Sequence, residues 1–323
     1  MPVPKSKRER PPARVTMTDV AKAAGCSQAT VSFVLNRVGG VKISERMRAK
    51  VFEAARLLGY GSVPQGARQG APSSSLGCVG FLVDQLATSP ESINAIDGAR
   101  QMSWDDQTVI LTAQSLGNPD MERSAIDAML RSGIAGLIYM AIFTRKVVLP
   151  DYIRELPIPV VLSNCYTDDH VFPAIVPDEL TGGKRATEEL IRCGHRNIAT
   201  ITGEPWMEAA QDRLKGYKRA LGEAGLALDP ELVIEGNWTP SAGYDATRKL
   251  LARRERPTAI FCQNDKMASG CFAALMEAGL RIPEDMSVVG YDDDELCRHL
   301  RPQLSSVVLP HRAMGGWAVD RLK

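Results

Sequence analysis

The stretch VAKAAGCSQATVSFVLN, residues 20–36, carries small and apolar residues at helical spacing up to Gly25 and then begins a second helical pattern at once. Gly25 can take the positive φ that ends a helix after two turns. Thr18 precedes Asp19, so its hydroxyl is placed to cap the first helix, and Ser27 is placed to cap a second one running through Leu35. Ala21 is small enough for two helices to cross closely, while Val31 and Val34 face inward. This is the spacing of a helix-turn-helix, in which the break lets the second helix cross the first and project its leading residues into a major groove. An ordinary helical hairpin would also place Ala and Gly at the crossing, so the surrounding charge has to separate the two.

Residues 1–70 hold thirteen Lys or Arg against four Asp or Glu, and residues 71–323 hold twenty-six against thirty-four, although the whole chain carries a net charge of +1. A basic segment joined to an acidic body points to a polyanionic partner for the first part alone. Arg37, Lys42, Arg46, Arg48, Lys50 and Arg56 alternate with apolar residues at helical spacing, which a solubilising tail does not need. A third helix from Ser44 to Leu58, with Ile43, Met47, Val51, Ala54, Ala55 and Leu58 on one face, would close the core of this head.

At 323 residues and 44% hydrophobic content, the chain exceeds the size of one domain. GSVPQGARQGAPSSS, residues 61–75, reads as a linker. Beyond it the apolar runs LGCVGFLV, TVILTA, GLIYMA, VVLSN, NIATIT, AIFCQND and SVVGYDD alternate with helical segments such as TGGKRATEELIR and DRLKGYKRALGEAG. Continuous apolar strands with helices between them indicate parallel sheets covered on both faces. The expected fold class is therefore α/β: an all-α head followed by two doubly wound parallel-sheet subdomains with a cleft between them. The basic, proline-rich N-terminus has no secretory apolar region, and no later run reaches the ~18 residues of a membrane span, so a soluble cytoplasmic protein is expected. Seven scattered cysteines without a C-x-x-C pair predict neither a disulfide framework nor a metal site.

Six blocks stand in a definite order: TMTDVAKAAGCSQATVSFVLN, VKISERMRAKVFEAARLLGY, GHRNIATITG, QDRLKGYKRAL, NDKMASG and IPEDMSVVGYDD. Together they resemble the lactose and galactose repressor family of bacterial transcription regulators over nearly the whole chain. The resemblance implies a DNA-binding domain, a hinge, a core similar to periplasmic sugar-binding proteins with three crossovers between its subdomains, and a homodimer or larger assembly. The expected boundaries are a basic arm over 1–16, the helix-turn-helix over 17–60, the hinge over 61–75, a first subdomain over 76–177 to which 307–323 return, and a second over 178–306. In relatives the hinge carries a proline, an Ala-Arg pair and a leucine that wedges into the minor groove. Here Pro64, Ala67 and Arg68 persist, but Gly70 and Ala71 stand where the leucine belongs. A glycine inside a helix costs ~1 kcal/mol relative to alanine, so a weaker hinge helix is expected, with the arm from Lys5 to Arg14 compensating. By the family's pattern the chain would also stop within a helix, ahead of a final strand.

On the second helix Gln28, Ala29, Ser32 and Phe33 are the outward positions. A glutamine amide can make two hydrogen bonds to adenine, and an alanine methyl can meet a thymine methyl. Arg14, Lys22, Lys42 and Arg46, with Thr16, Thr30 and Ser44, suit phosphate contacts. The expected DNA-contacting set is thus Thr16, Thr18, Ser27, Gln28, Ala29, Thr30, Ser32, Phe33, Asn36 and Arg68. In the core, ligand chemistry is expected at the carboxyl ends of strands. Asn264 and Asp292 offer acceptors for hydroxyls, Arg213 a forked donor and Trp238 a flat apolar face. By resemblance these four match the family's effector-binding positions, with Trp206, Ser163 and Asn164 as weaker candidates on the same cleft. Each has a structural alternative: Asp292 could cap a turn, Asn264 a helix, Arg213 could pair with Asp212 or Glu208, and Trp238 could be core.

No cofactor fingerprint, nucleophile elbow or metalloprotease motif is found, and His170, His195, His299 and His311 are widely spaced, so neither an enzyme nor a cofactor is expected. The expected partners are operator DNA, a small-molecule effector of carbohydrate or related type and a second copy of the chain, with no membrane. A transport solute-binding protein on the same core is the rival reading, which the basic helical head opposes.

Overall fold

The computed structural model describes residues 16–35, 43–57, 76–86 and 90–323. The chain divides into two units, residues 1–70 and 71–323.

The first unit contains α1 (Met17–Ala24), α2 (Gln28–Leu35) and α3 (Glu45–Leu57). The cap of α1 is Thr16 rather than Thr18. Thr16 is extended (φ −109°, ψ 164°), its hydroxyl oxygen accepts from the Asp19 amide, and the Asp19 carboxylate accepts from the Thr16 amide at 2.8 Å. Only Thr16 has an acid three residues on to close this reciprocal box, and Thr18 lies inside the first helical turn. Gly25 takes φ 66°, the Cys26 amide donates to the Ala21 carbonyl and the Gly25 amide to that of Lys22, so the helix ends in a left-handed cap. Ser27 opens α2 by accepting from the Thr30 amide at 3.1 Å, and Ser44 opens α3. Val20, Ala21, Val31, Val34, Val51, Ala54 and Ala55 are buried together. Leu58 and the hinge positions Pro64, Ala67, Arg68, Gly70 and Ala71 lie outside the described residues, as do Arg14, Asn36 and Lys42.

The second unit runs through β1 (Cys78–Val83), α4 (Pro90–Ser103), β2 (Val109–Gln114), α5 (Pro119–Arg131), β3 (Gly136–Lys146), α6 (Asp151–Arg154), β4 (Val160–Tyr166) and β5 (Ala174–Ile175). It continues with α7 (Glu179–Arg192), β6 (Ile198–Thr202), α8 (Glu208–Glu223), β7 (Val233–Glu235), α9 (Pro240–Leu251), β8 (Ala259–Cys262) and α10 (Asp265–Glu277). The last elements are β9 (Ser287–Asp292), α11 (Leu296–His299), β10 (Ser305–Val308) and α12 (His311–Leu322). Two parallel five-stranded sheets result, ordered β2-β1-β3-β4-β5 and β10-β9-β8-β6-β7. Val307 and Val308, expected on the return to the first sheet, pair instead with Tyr291 and Asp292, so the return begins with α12.

The near-continuous apolar strands are explained by cover on both faces. Along β8, Ala259 and Phe261 join a cluster with Ala186, Leu190, Tyr217 and Leu221 of α7 and α8, while Ile260 and Cys262 join the opposite cluster with Leu250, Met267 and Cys271 of α9 and α10. The first sheet repeats this with α4 and α12 on one face and α5 and α6 on the other. Helices α4 and α12 touch backbone to backbone: a Cβ on Gly98 would lie 1.8 Å from the Arg312 carbonyl oxygen, and one on Gly315 would lie 1.8 Å from that of Ala95. No helix among the described residues is long and apolar enough to cross a membrane.

Gly315→Ala is therefore expected to destabilise the core by about 1–3 kcal/mol in urea unfolding, because no side chain can yield to make room. Gly222→Ala, whose Cβ would meet open space in α8, should instead stabilise it by roughly 0.5–1 kcal/mol.

Candidate functional site

Two surfaces carry the candidate chemistry. The first is the leading end of α2. Gln28 and Ala29 are exposed there while Val31 and Val34 are buried, so the amide and the methyl face outward from a fixed base. The Ser27 and Thr30 hydroxyls lie 2.9 Å apart and hydrogen-bond each other. Thr18 is exposed, Ser32 is half-buried, and the Thr16 hydroxyl donates to Asp19 at 2.7 Å. The side chain of Phe33, like Asn36 and Arg68, lies outside what the structure describes.

The second surface is a cavity of about 480 Å³ at the carboxyl ends of both sheets. The first sheet and its helices supply Glu91, Ile142, Phe143, Thr144 and Asn164, and α12 supplies His311. The second supplies Glu179, Glu204, Met207, Arg213, Trp238, Asn264, Lys266 and Asp292. Both sheets reverse their strand order beside this space, between β1 and β3 and between β6 and β8, which is where such folds leave a crevice.

Arg213 is the electrostatic centre of the cavity. It is 4% exposed, donates through Nε at 2.8 Å and Nη2 at 3.0 Å to the two oxygens of Glu179, and donates through Nη1 to the Gln263 carbonyl. Its guanidinium lies 3.7 Å from the centre of the Tyr291 ring and 5.6 Å from that of Trp238. Asp292 Oδ1 stands 3.6 Å from Nη1. Burial works against the charge on Arg213, but Glu179 and Asp292 outweigh it and hold the group above its ordinary value. Burial pushes the Asp292 carboxyl well up, with Arg213 opposing, and it also pushes up Glu91, opposed by Lys266 and Arg213. His311 is 2% exposed, and burial, reinforced by Arg213, lowers its imidazole to about 3.

Trp238 presses a ring edge onto the backbone, where a Cβ on Gly203 would lie 1.7 Å from it, and its Nε1 donates to Met207 Sδ at 3.0 Å. Asn264 caps α10 by accepting from the Met267 amide at 2.8 Å and donates to the Trp238 carbonyl at 3.1 Å. Asn164, Trp238 and Asp292 line the cavity with positive φ of 58°, 66° and 111°. Such backbone costs ~1–3 kcal/mol per residue and concentrates at ligand sites.

Residues 16–62 match the model of bacterial regulatory proteins of the lacI family, and residues 187–323 match that of a periplasmic binding protein-like domain. Over 95% of its length the chain is 33% identical to the ribose operon repressor of Haemophilus influenzae, 90% of which is covered. Over 95% of its length it is 34% identical to catabolite control protein A of Priestia megaterium, 91% of which is covered. The chain belongs to the LacI family. Among solved structures, one described as a LacI-family transcriptional regulator of Rhizobium etli superposes with a TM-score of 0.69 at 29% identity, over 76% of this chain and 90% of that one. The transcriptional regulator CelR in complex with cellobiose gives 0.63 at 30% identity, over 96% and 92% of the two chains. The relatives are transcriptional regulators, and the pairing of a LacI-type head with this core favours a regulator over a transport protein.

In this LacI-family chain the four expected core residues, Arg213, Trp238, Asn264 and Asp292, line one cavity. Asn264 both caps a helix and lines the cavity, and Trp238 packs on the core while facing it. Arg213 pairs with neither Asp212 nor Glu208: Asp212 holds Lys215, while Glu208 accepts from the Lys146 amide and the Tyr166 hydroxyl. Asn164 lines the cavity, its amide donating to the Ala141 and Ile142 carbonyls, whereas Trp206 and Ser163 do not line it. Sequence reading missed Glu91, Glu179, Glu204, Lys266 and His311. His195 bridges Thr258 and Ser287 at 2.9 Å each, tying strand beginnings together.

Replacing Arg213 by Met leaves Glu179 buried without its cation and should cost about 3–5 kcal/mol in unfolding, part of which Glu179→Gln in the same chain restores. His311 titrates near 3 when folded against 6.5 ordinarily, so the unfolded chain binds the extra proton between these values. Stability should therefore fall as pH drops from about 6.5 towards 3, and His311→Asn should show a smaller loss of urea midpoint between pH 7 and pH 5.

Proposed function

We propose that this LacI-family chain is a transcriptional repressor that grips an operator as a homodimer through α2 and is controlled by a small molecule, a carbohydrate or related metabolite, held between the two sheets. The observation that carries the reading is the exposed Gln28–Ala29 edge standing on a closed three-helix core, in the same chain as a charged cavity. Gln28 and Ala29 read base edges, while Thr16, Thr18, Ser27, Thr30, Ser32, Phe33, Asn36 and Arg68 complete the contact to DNA. Two recognition helices must reach successive major grooves, so half-sites lie ~10 base pairs apart. The repressor acts in the cytoplasm, where its operator is found.

Arg213, Trp238, Asn264 and Asp292 hold the effector. Related regulators support a ligand of this type, since CelR was solved with cellobiose and the Lac repressor, at 28% identity and a TM-score of 0.64 over 96% of this chain and 92% of that one, with ONPG. Closure of the sheets on the ligand changes the spacing of the paired heads, a coupling of typically 1–3 kcal/mol that must act equally in both directions.

Selection of operators from random DNA tests the reading. Gln28→Ala should lose about 1–3 kcal/mol of discrimination at one base pair and leave the salt dependence unchanged, since phosphate contacts set that slope. A chain that binds every duplex alike would overturn the proposal.

A further inference from the structure

The cavity has more acid than its structural needs explain. Glu91, Glu179, Glu204 and Asp292 line it against two cations, Arg213 and Lys266, and Glu179 already takes two of the Arg213 donors. Glu91 Oε2 and Glu204 Oε2 are shielded from solvent without any hydrogen-bond partner, and so is Nε2 of His311, whose ring is 2% exposed. A carboxylate oxygen left in this condition is costly to keep ionised, and for Glu91 the cations Lys266 and Arg213 oppose that cost only in part. Glu91 comes from the first turn of α4 and Asp292 from the end of β9, so the two acids stand on opposite sheets, and each feels the field of Arg213. The Trp238 and Phe143 rings line the same space and favour a cation over their faces.

We propose that the ligand of this cavity carries a protonated amine, as in an amino sugar or another polyhydroxylated amine, with the ammonium between Glu91 and Asp292 and the hydroxyls reaching Glu204, His311 and Asn264. The proposal rests on the cavity being the effector site. An ammonium supplies the donors that the free carboxylate oxygens lack, and it brings the formal charge of the cavity closer to balance. A phosphate or carboxylate on the ligand would add to the surplus and be rejected.

Calorimetry on the full chain at pH 7 tests this with three hexosamines, each set beside its parent hexose, its N-acetyl derivative and its 6-phosphate. In at least one set the amine should bind ten-fold or more tightly than its neutral partners, and the phosphate should not bind. Glu91→Gln should draw the amine-to-hexose ratio towards one, and Glu204→Gln gives an independent second variant should the first fail to fold. A neutral or phosphorylated member binding as well as its amine, or no hexosamine binding in any set, overturns the proposal. Operator binding measured on the same sample separates the two readings. Sequence-specific DNA binding without amine preference sinks the ligand class alone, whereas amine binding without DNA recognition sinks the repressor reading and leaves the ligand class standing.

Discussion

A guanidinium removed from water is tolerated only where its N–H groups find acceptors and its plane finds a partner, and the second sheet is arranged to supply both to Arg213. Glu179 comes from the start of α7, the Gln263 carbonyl from the end of β8 and the Tyr291 ring from β9, so three separate elements meet at one side chain of α8. A buried ion pair adds little net stability compared with an apolar replacement of the same shape. What it supplies is placement: α7 and α8 can pack in one register only if the fork meets both carboxylate oxygens. Gly183 and Gly216 permit this, since a Cβ on either would fall within 2.3 Å of the facing helix backbone. Asp292 and Trp238 stand beside the same centre.

The head obeys a different logic. It is small, and its order comes from helix ends: a reciprocal box at Thr16 and Asp19, a left-handed stop at Gly25, and a fresh start at Ser27 within three residues. Each device satisfies amides or carbonyls that a helix end would leave bare. With the turn fixed, the valines of α2 must point inward, and Gln28 and Ala29 are left outside by geometry.

Much of this was legible in the chain. Periodicity gave the three helices, the two parallel sheets and the cleft, and local chemistry gave Gly25 and Ser27. The misplaced cap shows the limit of local reading, because TMTD offers two threonines and only the acid three residues beyond Thr16 separates them. At the cavity, the candidates with a visible signature were found: strand-end acids and amides, an aromatic and an arginine. Their partners had no such mark. Glu179 looks like an ordinary first-turn acid, 34 residues from the arginine it holds. Glu91 opens α4 in the same unremarkable way, and His311 follows a proline at a helix start. What makes these groups chemically unusual is loss of solvent, which the topology imposes and the sequence does not display.

The close crossing of α4 and α12 bears on how this cavity can move. Glu91 stands in the first turn of α4 and His311 is the first residue of α12, and Gly98 and Gly315 lock the two backbones together a turn or two further on. The backbones that carry the acid and the imidazole are therefore joined in a single stiff jaw. A bound molecule that shifts the backbone at either group draws on both helices, and so turns a small displacement at the pocket wall into travel of an entire flank of the first sheet.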